Sequence, residues 1–307
     1  MSSPSPAPLK APNKDSSSDP SPQETPTPTN MAESAAPTET NPSWERVLLA
    51  RHAKRPHSLD YIQRLFTDFV ELHGDRAFAD DHAIVAGMAW FDEQPVMVVA
   101  QQKGRDTKQR MFRNFGYPHP EGYRKSMRLM DMAAKFNRPI IALLDTPGAW
   151  HGKDAEERGQ GRAIANNLRE MSRLGVPIVA VVLGEGGSGG ALALGVANRI
   201  YMMENAVYSV ISPESCAAII YRDSSRAPAA AASLKMTAPD LLKLGLIDGI
   251  VPEPQVGAHA DPDGAAEALR ETLRTALAGL RGMTAKQLID DRYAKFRAMG
   301  SAFVTES

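Results

Sequence analysis

The stretch of sequence best suited to chemistry is Gly184–Gly190, in which five of the seven residues are glycine. An apolar run, Ile178–Leu183, precedes it and a run of small residues, Ala191–Ala197, follows it. This order predicts a strand, a glycine-rich loop and a helix. Glycine lets the backbone approach a ligand closely, because no Cβ intervenes. Unpaired N–H groups at the start of the helix could then donate to an anion or to a developing oxyanion.

Three interpretations of this segment compete. It could be a tight turn where a helix packs closely on a sheet. It could be a nucleophile elbow, because Gly186–Gly190 matches the pattern G-x-S-x-G. In that case Ser188 would need His259, the only histidine that follows it, and an acid such as Asp248. The third interpretation is an oxyanion hole made of backbone N–H groups, and the segment alone does not decide among the three.

Other polar segments have both a functional and a structural interpretation. The basic segment Lys103–Arg113 could bind phosphate or carboxylate groups, or it could be a solvated charged loop. Asp154, Glu156 and Glu157 could form a paired-carboxylate site, but acids in the first turn of a helix are also favoured by the helix dipole. His151 is most simply a solvated loop histidine. Because the spacing of His, Cys, Asp and Glu nowhere resembles a metal site, no bound metal is predicted.

The composition excludes several classes of protein. The chain has 307 residues and a net charge of −1, which argues against a nucleic-acid or membrane surface. Cys216 is the only cysteine, so this chain alone can build neither a disulfide framework nor a cysteine-rich zinc site. Without an apolar run long enough to span a membrane, the protein is expected to be soluble and cytoplasmic. Residues 1–42 are rich in Pro, Ser and Thr and are predicted to be disordered, whereas 43–307 are predicted to form one domain.

Strands alternate with helices from Trp44 onward, which indicates an α/β fold with right-handed crossovers. Two successive strands end in unusual segments, one at Asp145 and one at Gly184, and such strand ends commonly form one site. Helices are predicted over Leu59–His73, Glu121–Phe136 and Ala155–Leu174, and the Met side chains of the second are expected in the core. Predicted strands include Ile84–Phe91, Val96–Gln101 and Pro139–Leu144. Two helices after Pro262 are predicted to offer an exposed face for subunit contact around Leu269, Leu273 and Leu277.

Nine motifs are spread over the chain: Gln102–Arg105, Pro120–Lys125, Asp145–Ala149, Ala155–Gln160, Asn167–Ser172, Gly184–Ala193, Tyr208–Glu214, Leu246–Asp248 and Val251–Pro254. Together they resemble one known family, the carboxyltransferase α subunit of bacterial multi-subunit acetyl-CoA carboxylase. The resemblance covers the chain from about Trp44 to its C-terminus. It implies a crotonase-like (ClpP/crotonase) spiral of ββα units with C-terminal helices.

The resemblance also implies a reaction, the first committed step of fatty acid synthesis. A carboxyl group passes from carboxybiotin, held on a separate carrier protein, to acetyl-CoA, giving malonyl-CoA. The biotin enolate left behind takes the proton of the acetyl methyl group, so no protein acid or base is needed. The family places the oxyanion hole for the biotin enolate at Gly189 and Gly190. Further substrate-binding residues are expected at Gly186, Gly187, Lys103, Arg105, Gly148 and Ala149.

The implied partners are a β subunit of the same fold, in an α₂β₂ heterotetramer, together with the biotin carboxyl carrier protein and biotin carboxylase. A zinc ribbon is expected on the β subunit, in keeping with the single cysteine of this chain. The chain departs from the family at Trp150–Gly152, where Tyr-Pro-Gly is common, and at Ser215, where Gly is common. These departures bear on how partners dock.

Overall fold

The computed structural model describes residues 41–300, which contain twelve α-helices and eight strands. The strands are β1 Thr67–Glu71, β2 Ile84–Phe91, β3 Gln94–Gln101, β4 Ile140–Thr146, β5 Ile178–Gly187, β6 Arg199–Met203, β7 Val207–Ser209 and β8 Gly249–Val251. The helices are α1 Pro42–Ala50, α2 Ser58–Leu65, α3 Thr107–Phe112, α4 Pro120–Lys135, α5 Lys153–Glu157, α6 Gln160–Met171, α7 Ser188–Leu192, α8 Pro213–Tyr221, α9 Ala227–Leu234, α10 Ala238–Lys243, α11 Pro262–Leu280 and α12 Ala285–Ala298. Strands and helices alternate through the middle of the chain, so the predicted α/β class is confirmed.

One mixed sheet organises the fold, in the order β1-β2-β3-β4-β5-β6-β8. The pairs β1–β2 and β2–β3 are antiparallel, and all later pairs are parallel. Strand β5 is the longest and pairs with two strands in succession on one side. Its first half, Val179–Val182, pairs with β6, and its second half, Glu185–Gly187, pairs with β7. The glycine-rich segment is therefore partly strand, because β7 supplies hydrogen bonds that a loop would lack.

The core lies on the sheet and under its covering helices. All seven residues of β4 are buried, as expected for a central parallel strand. Met127 and Met130 of α4 belong to this core, which confirms their predicted role. Leu269, Leu273 and Leu277 of α11 are also buried in it, so the prediction that they form an exposed contact face was wrong. The amphipathic pattern of α11 is satisfied by this chain's own sheet.

The predicted helix Leu59–His73 was wrong in its second half. Helix α2 ends at Leu65, and β1 follows as an edge strand paired with β2. The apolar spacing of Phe66, Phe69 and Val70 fits either structure, and pairing with β2 decides between them. In the same way, the predicted helix Ala155–Leu174 is divided into α5 and α6 at Gly159, whose φ of 81° is left-handed.

Two boundaries differ slightly from prediction. The turn between β2 and β3 has only two residues, Asp92 and Glu93, both with positive φ, and Pro95 already lies in β3 opposite Trp90. The predicted disordered segment 1–42 lies outside the described residues except for its last two. Asn41 caps α1 by accepting a hydrogen bond from Trp44 N (3.1 Å), and Pro42 begins the helix.

Candidate active site

A cavity of about 550 Å³ lies at the carboxyl ends of β4 and β5. One wall, here called the glycine wall, is formed by Pro147–Ala149 and Gly186–Gly190, and the opposite side by residues after β7, including Val210 and Ser212. The two strand-end segments thus face one site, as the sequence predicted. The predicted residues Gly148, Ala149, Gly186, Gly187, Gly189 and Gly190 all line this cavity.

Close packing requires glycine at most of these positions, at two of them because two backbone segments touch. A Cβ on Gly187 would lie 2.1 Å from Pro147 O, and one on Gly190 would lie 2.5 Å from Ala149 N. A Cβ on Gly186 would lie 2.7 Å from the Tyr208 ring. At Gly189 the nearest atom would be Ile164 Cγ2, at 3.8 Å, which is ordinary contact. Close packing therefore accounts for Gly186, Gly187 and Gly190, and leaves Gly189 unexplained by packing.

The glycine wall also carries N–H groups that have no acceptor within residues 41–300. Helix α7 begins at Ser188 without a side-chain cap, so the N–H groups of its first turn, including those of Gly189 and Gly190, have no partner inside the helix. Ala149 N also donates to no described acceptor, whereas Gly148 N donates to Thr146 Oγ1 (3.1 Å). Ala149 N lies against Gly190, so donors from two segments occupy one wall of the cavity. Such a pair suits an oxygen that gains negative charge.

A buried glutamine fixes this arrangement. Gln101, at the end of β3, is fully buried. Its Nε2 donates to Gly190 O (2.7 Å) and its Oε1 accepts from Asp145 N (3.2 Å). The side chain therefore connects the glycine wall with the end of β4. Sequence reasoning did not identify Gln101, although a polar residue that ends an apolar strand was the available signal.

The residues that line the cavity offer no catalytic base for the nucleophile-elbow interpretation. Ser188 is exposed and has a φ of 53°, but no histidine lines the cavity, all of whose lining residues fall in the described range. The His259 ring lies against His52, with 3.9 Å between ring centroids and 36° between ring planes, and Asp248 pairs with Lys295. The residues required for a triad are thus engaged elsewhere.

A largely buried ion-pair network lies beside the glycine wall. Lys103 Nζ lies 2.8 Å from Asp145 Oδ1 and 2.7 Å from Glu185 Oε2. Burial by itself would raise the pKa of Asp145, but the charge of Lys103 and the hydrogen bond with His57 Nδ1 (3.2 Å) lower that pKa well below its ordinary value. Burial would lower the pKa of Lys103, and the two carboxylates raise it. Asp145 and Glu185 were not among the predicted site residues.

The basic residues predicted to bind substrate already have acidic partners. Lys103 is held in the network above, and Arg105 pairs with Asp60 at 2.6 Å. Both residues line a second cavity of about 310 Å³, which shares Arg51, Tyr117, Pro147 and Glu185 with the first. A role for Lys103 and Arg105 in binding substrate stays a prediction.

The remaining candidates have structural partners. Asp154 and Glu156 lie in the first turn of α5, and Asp154 also accepts hydrogen bonds from Arg158 (3.1 Å) and Trp150 (3.2 Å). His151 is exposed and lies against the Tyr117 ring. Over residues 41–300 no group of three or more His, Cys, Asp or Glu is placed to hold a metal ion. None of the helices in that range is both long enough and apolar enough to cross a membrane.

Comparison with known proteins decides the family. The family model described as "Acetyl co-enzyme A carboxylase carboxyltransferase-like" matches residues 30–300. The chain belongs to this family. A protein of Thermus thermophilus, named acetyl-coenzyme A carboxylase carboxyl transferase subunit alpha, is 58% identical over 258 residues, which cover 84% of this chain and 82% of the relative. The resemblance to the α subunit is confirmed, and the chain is a subunit of a biotin-dependent, carboxyl-transferring enzyme.

Several solved structures share the fold. Transcarboxylase 12S, solved with methylmalonyl-coenzyme A and methylmalonic acid bound, has a TM-score of 0.60 and 20% identity, with 75% of this chain and 44% of that chain covered. A Pseudomonas malonate decarboxylase MdcD-MdcE heterodimer has a TM-score of 0.57 and 22% identity, with 70% and 88% covered. The predicted crotonase-like fold with C-terminal helices is thereby confirmed for this carboxyltransferase chain.

Proposed function

We propose that this chain is the half of an acetyl-CoA carboxyltransferase that receives carboxybiotin, and that its glycine wall stabilises the charge formed there. Gly189 and Gly190 would donate their N–H groups to the biotin ring oxygen that becomes negative as the carboxyl group leaves. Ala149 N–H lies beside them and is suited to be a further donor. The observation that carries the proposal is that N–H groups of two segments, which have no described acceptor, lie side by side in one cavity wall.

The charged side chains of the cavity are held in ion pairs, which fits a chemistry that needs no protein acid or base. Arg51 lies 2.6 Å from Glu185 and 2.5 Å from Glu214. Carboxybiotin supplies both the carboxyl group and, once that group has left, the base that takes a proton from the acetyl methyl group of acetyl-CoA. The residues of this chain bind the head group, orient it and favour its charged form. Removing one such donor from an oxyanion hole typically costs about 10²–10³ in rate.

The cavity fits a biotin head group in its chemistry. Free amides occupy one wall, and the other side offers apolar side chains, including Ile164, Val207, Val210 and Met236. A small number of placed polar groups beside apolar lining is typical of cofactor and ligand sites. Biotin would arrive on a separate carrier protein charged by a biotin carboxylase.

The reaction also needs a site for the thioester, which we assign to the β subunit. An exposed apolar surface beside the cavity suits that contact: Val210 is 76% exposed, and Ile219 and Ile220 of α8 are also exposed. A small apolar cavity lined by Leu192, Leu241 and Met299 shares Ser209 and Val210 with the active-site cavity. We propose this surface as the β-subunit contact in place of the predicted one around Leu269, which is buried in the core. An exposed apolar surface suits a permanent subunit, because obligate interfaces are large and apolar. We propose an α₂β₂ assembly that works in the cytoplasm and carries its zinc ribbon on the β subunit.

Reconstitution tests the proposal. The purified chain alone is assayed for decarboxylation of malonyl-CoA with free biotin, and the β subunit is then added. Activity is expected only in the mixture, in proportion to the complex formed. Full turnover by the isolated chain would show that the site is not shared, and the absence of transfer in the mixture would refute the function.

A further inference from the structure

The segment Arg105–Phe115, here called the α3 surface, is an unusual piece of the fold. Helix α3 contains no buried residue, and every residue from Arg105 to Phe112 is exposed. Met111 is 63% exposed and Phe112 51% exposed. An element that buries so little contributes little to folding, and large exposed apolar side chains next to a cavity commonly mark an interaction site.

The charges of the α3 surface are unbalanced. From Arg105 to Arg113 there are four cations and one acid, Asp106. That acid is occupied as the helix cap, because its carboxylate accepts from Gln109 N (2.8 Å). Lys108 and Arg110 pair with no acid within residues 41–300, and Arg110 reaches only a backbone carbonyl. The surface therefore attracts a negatively charged partner.

Its backbone is held in a costly conformation. Asn114 and Phe115 both have positive φ, at 50° and 54°, and this left-handed conformation is unfavourable for Phe115 because its Cβ crowds the backbone. Neighbouring contacts enforce the turn: Asn114 Nδ2 donates to Asp81 (2.9 Å), and Gly116 O accepts from Thr146 Oγ1 (2.6 Å). Strain maintained in this way clusters at functional positions. Here it keeps Phe115 exposed at the mouth of the second cavity.

We propose that the α3 surface is the docking surface for an acidic face of the biotin-carrying protein. The inference rests on the proposed function, because that carrier must approach the cavity mouth in every turnover. Apart from Arg110, the residues of helix α3 line neither cavity, and such an exposed helix suits a protein domain better than a small anion. Its composition of Met, Phe and Arg is the one enriched in protein interfaces. The carrier must bind and dissociate in every turnover, and opposite charges speed such association. The apolar surface at Val210 suits a permanently bound subunit instead.

The test uses the assembled α–β complex and two substrates, free biotin and the biotinylated carrier. The variant Lys108→Glu/Met111→Ser changes two exposed side chains that line neither cavity. We expect the KM for the carrier to rise about tenfold, with a weaker dependence on salt, and the rate with free biotin to stay unchanged. The matched control is Lys286→Glu/Tyr293→Ser on α12, which also changes one exposed cation and one exposed apolar residue and should leave both substrates unaffected.

Two other outcomes would overturn the inference, and a third would overturn the proposed function on which it rests. An unchanged KM for the carrier would remove the α3 surface from docking. Loss of α–β assembly in the variant would assign the surface to the β subunit. A wild-type complex without transfer from free biotin would instead refute the proposed function, so the two failures are distinguishable.

Discussion

Two neighbouring regions at the ends of β4 and β5 are built in opposite ways. The glycine wall presents backbone amides and few side chains. The ion-pair network, Lys103 with Asp145 and Glu185, consists of charged side chains that are largely out of water. The first positions neutral donors by close packing, and the second holds strand ends together by charge. Mutations should therefore act on the wall through geometry and on the network through stability.

The largest effect is expected for Gly190→Val. Its Cβ would meet the backbone of Gly148 and Ala149 at 2.5 Å, so one segment of the wall must shift. Carboxyl transfer should fall about a thousandfold or more, because both the donors and their spacing change. Unimpaired activity in the assembled complex would show that the oxyanion site lies elsewhere.

The control for that change is Gly189→Ala. A Cβ there meets only Ile164, at 3.8 Å, so the midpoint of thermal unfolding should stay within about 2 °C of wild type. Gly190→Val should lower the same midpoint, since overpacking typically costs about 1–3 kcal/mol. Equal destabilisation by both variants would break the distinction between packed and open glycines.

Lys103→Met should act through stability. The change leaves Asp145 and Glu185 without their shared cation, and removing one partner of a buried pair costs about 3 kcal/mol. Arg105→Met is the matched comparison, because its pair with Asp60 is much more exposed and is worth at most about 1 kcal/mol. Urea unfolding of the two variants measures both. Equal losses would mean that the network is no more than a surface feature.

Gln101→Met separates the two regions, because Gln101 contacts both. The variant leaves Gly190 O and Asp145 N without partners and should cost about 2 kcal/mol of stability. It should also lower kcat about tenfold while KM stays constant, since the wall loses its alignment. Gln102→Met removes two similar hydrogen bonds, to Leu59 N and Lys103 O, and should lower stability without changing kcat. If both variants reduce kcat alike, Gln101 has no special positioning role.

Ser188→Ala should have the smallest effect. The hydroxyl has no catalytic partner, so carboxyl transfer should stay within about threefold of wild type. Ser188→Gly should be more stable than Ser188→Ala by roughly 1 kcal/mol, because glycine accepts the positive φ. A thousandfold loss of activity in the alanine variant would restore the nucleophile interpretation.

The sequence predicted those features that depend on local pattern. Glycine density between a strand and a helix located the cavity wall, and the ends of β4 and β5 indicated that Asp145 and Gly184 lie close together. It could not predict that Lys103 meets Glu185, which is 82 residues away, because that contact depends on strand order. It assigned Leu269 to an interface because an amphipathic helix does not reveal which surface covers it. It extended α2 to His73 because Phe69 and Val70 fit a helix as well as an edge strand.

The succession of partners along β5 has a consequence for amide hydrogen exchange. The first half of β5 pairs with β6 at the centre of the sheet. Glu185–Gly187 belong to the second half of β5 and pair with β7. Their amides should therefore be protected to the level of global unfolding, whereas amides of glycine-rich loops usually exchange quickly through local fluctuations. The part of the glycine wall at Gly186 and Gly187 therefore cannot act as a lid, because it opens only when the sheet opens. We expect access to it to be controlled by what docks against the cavity.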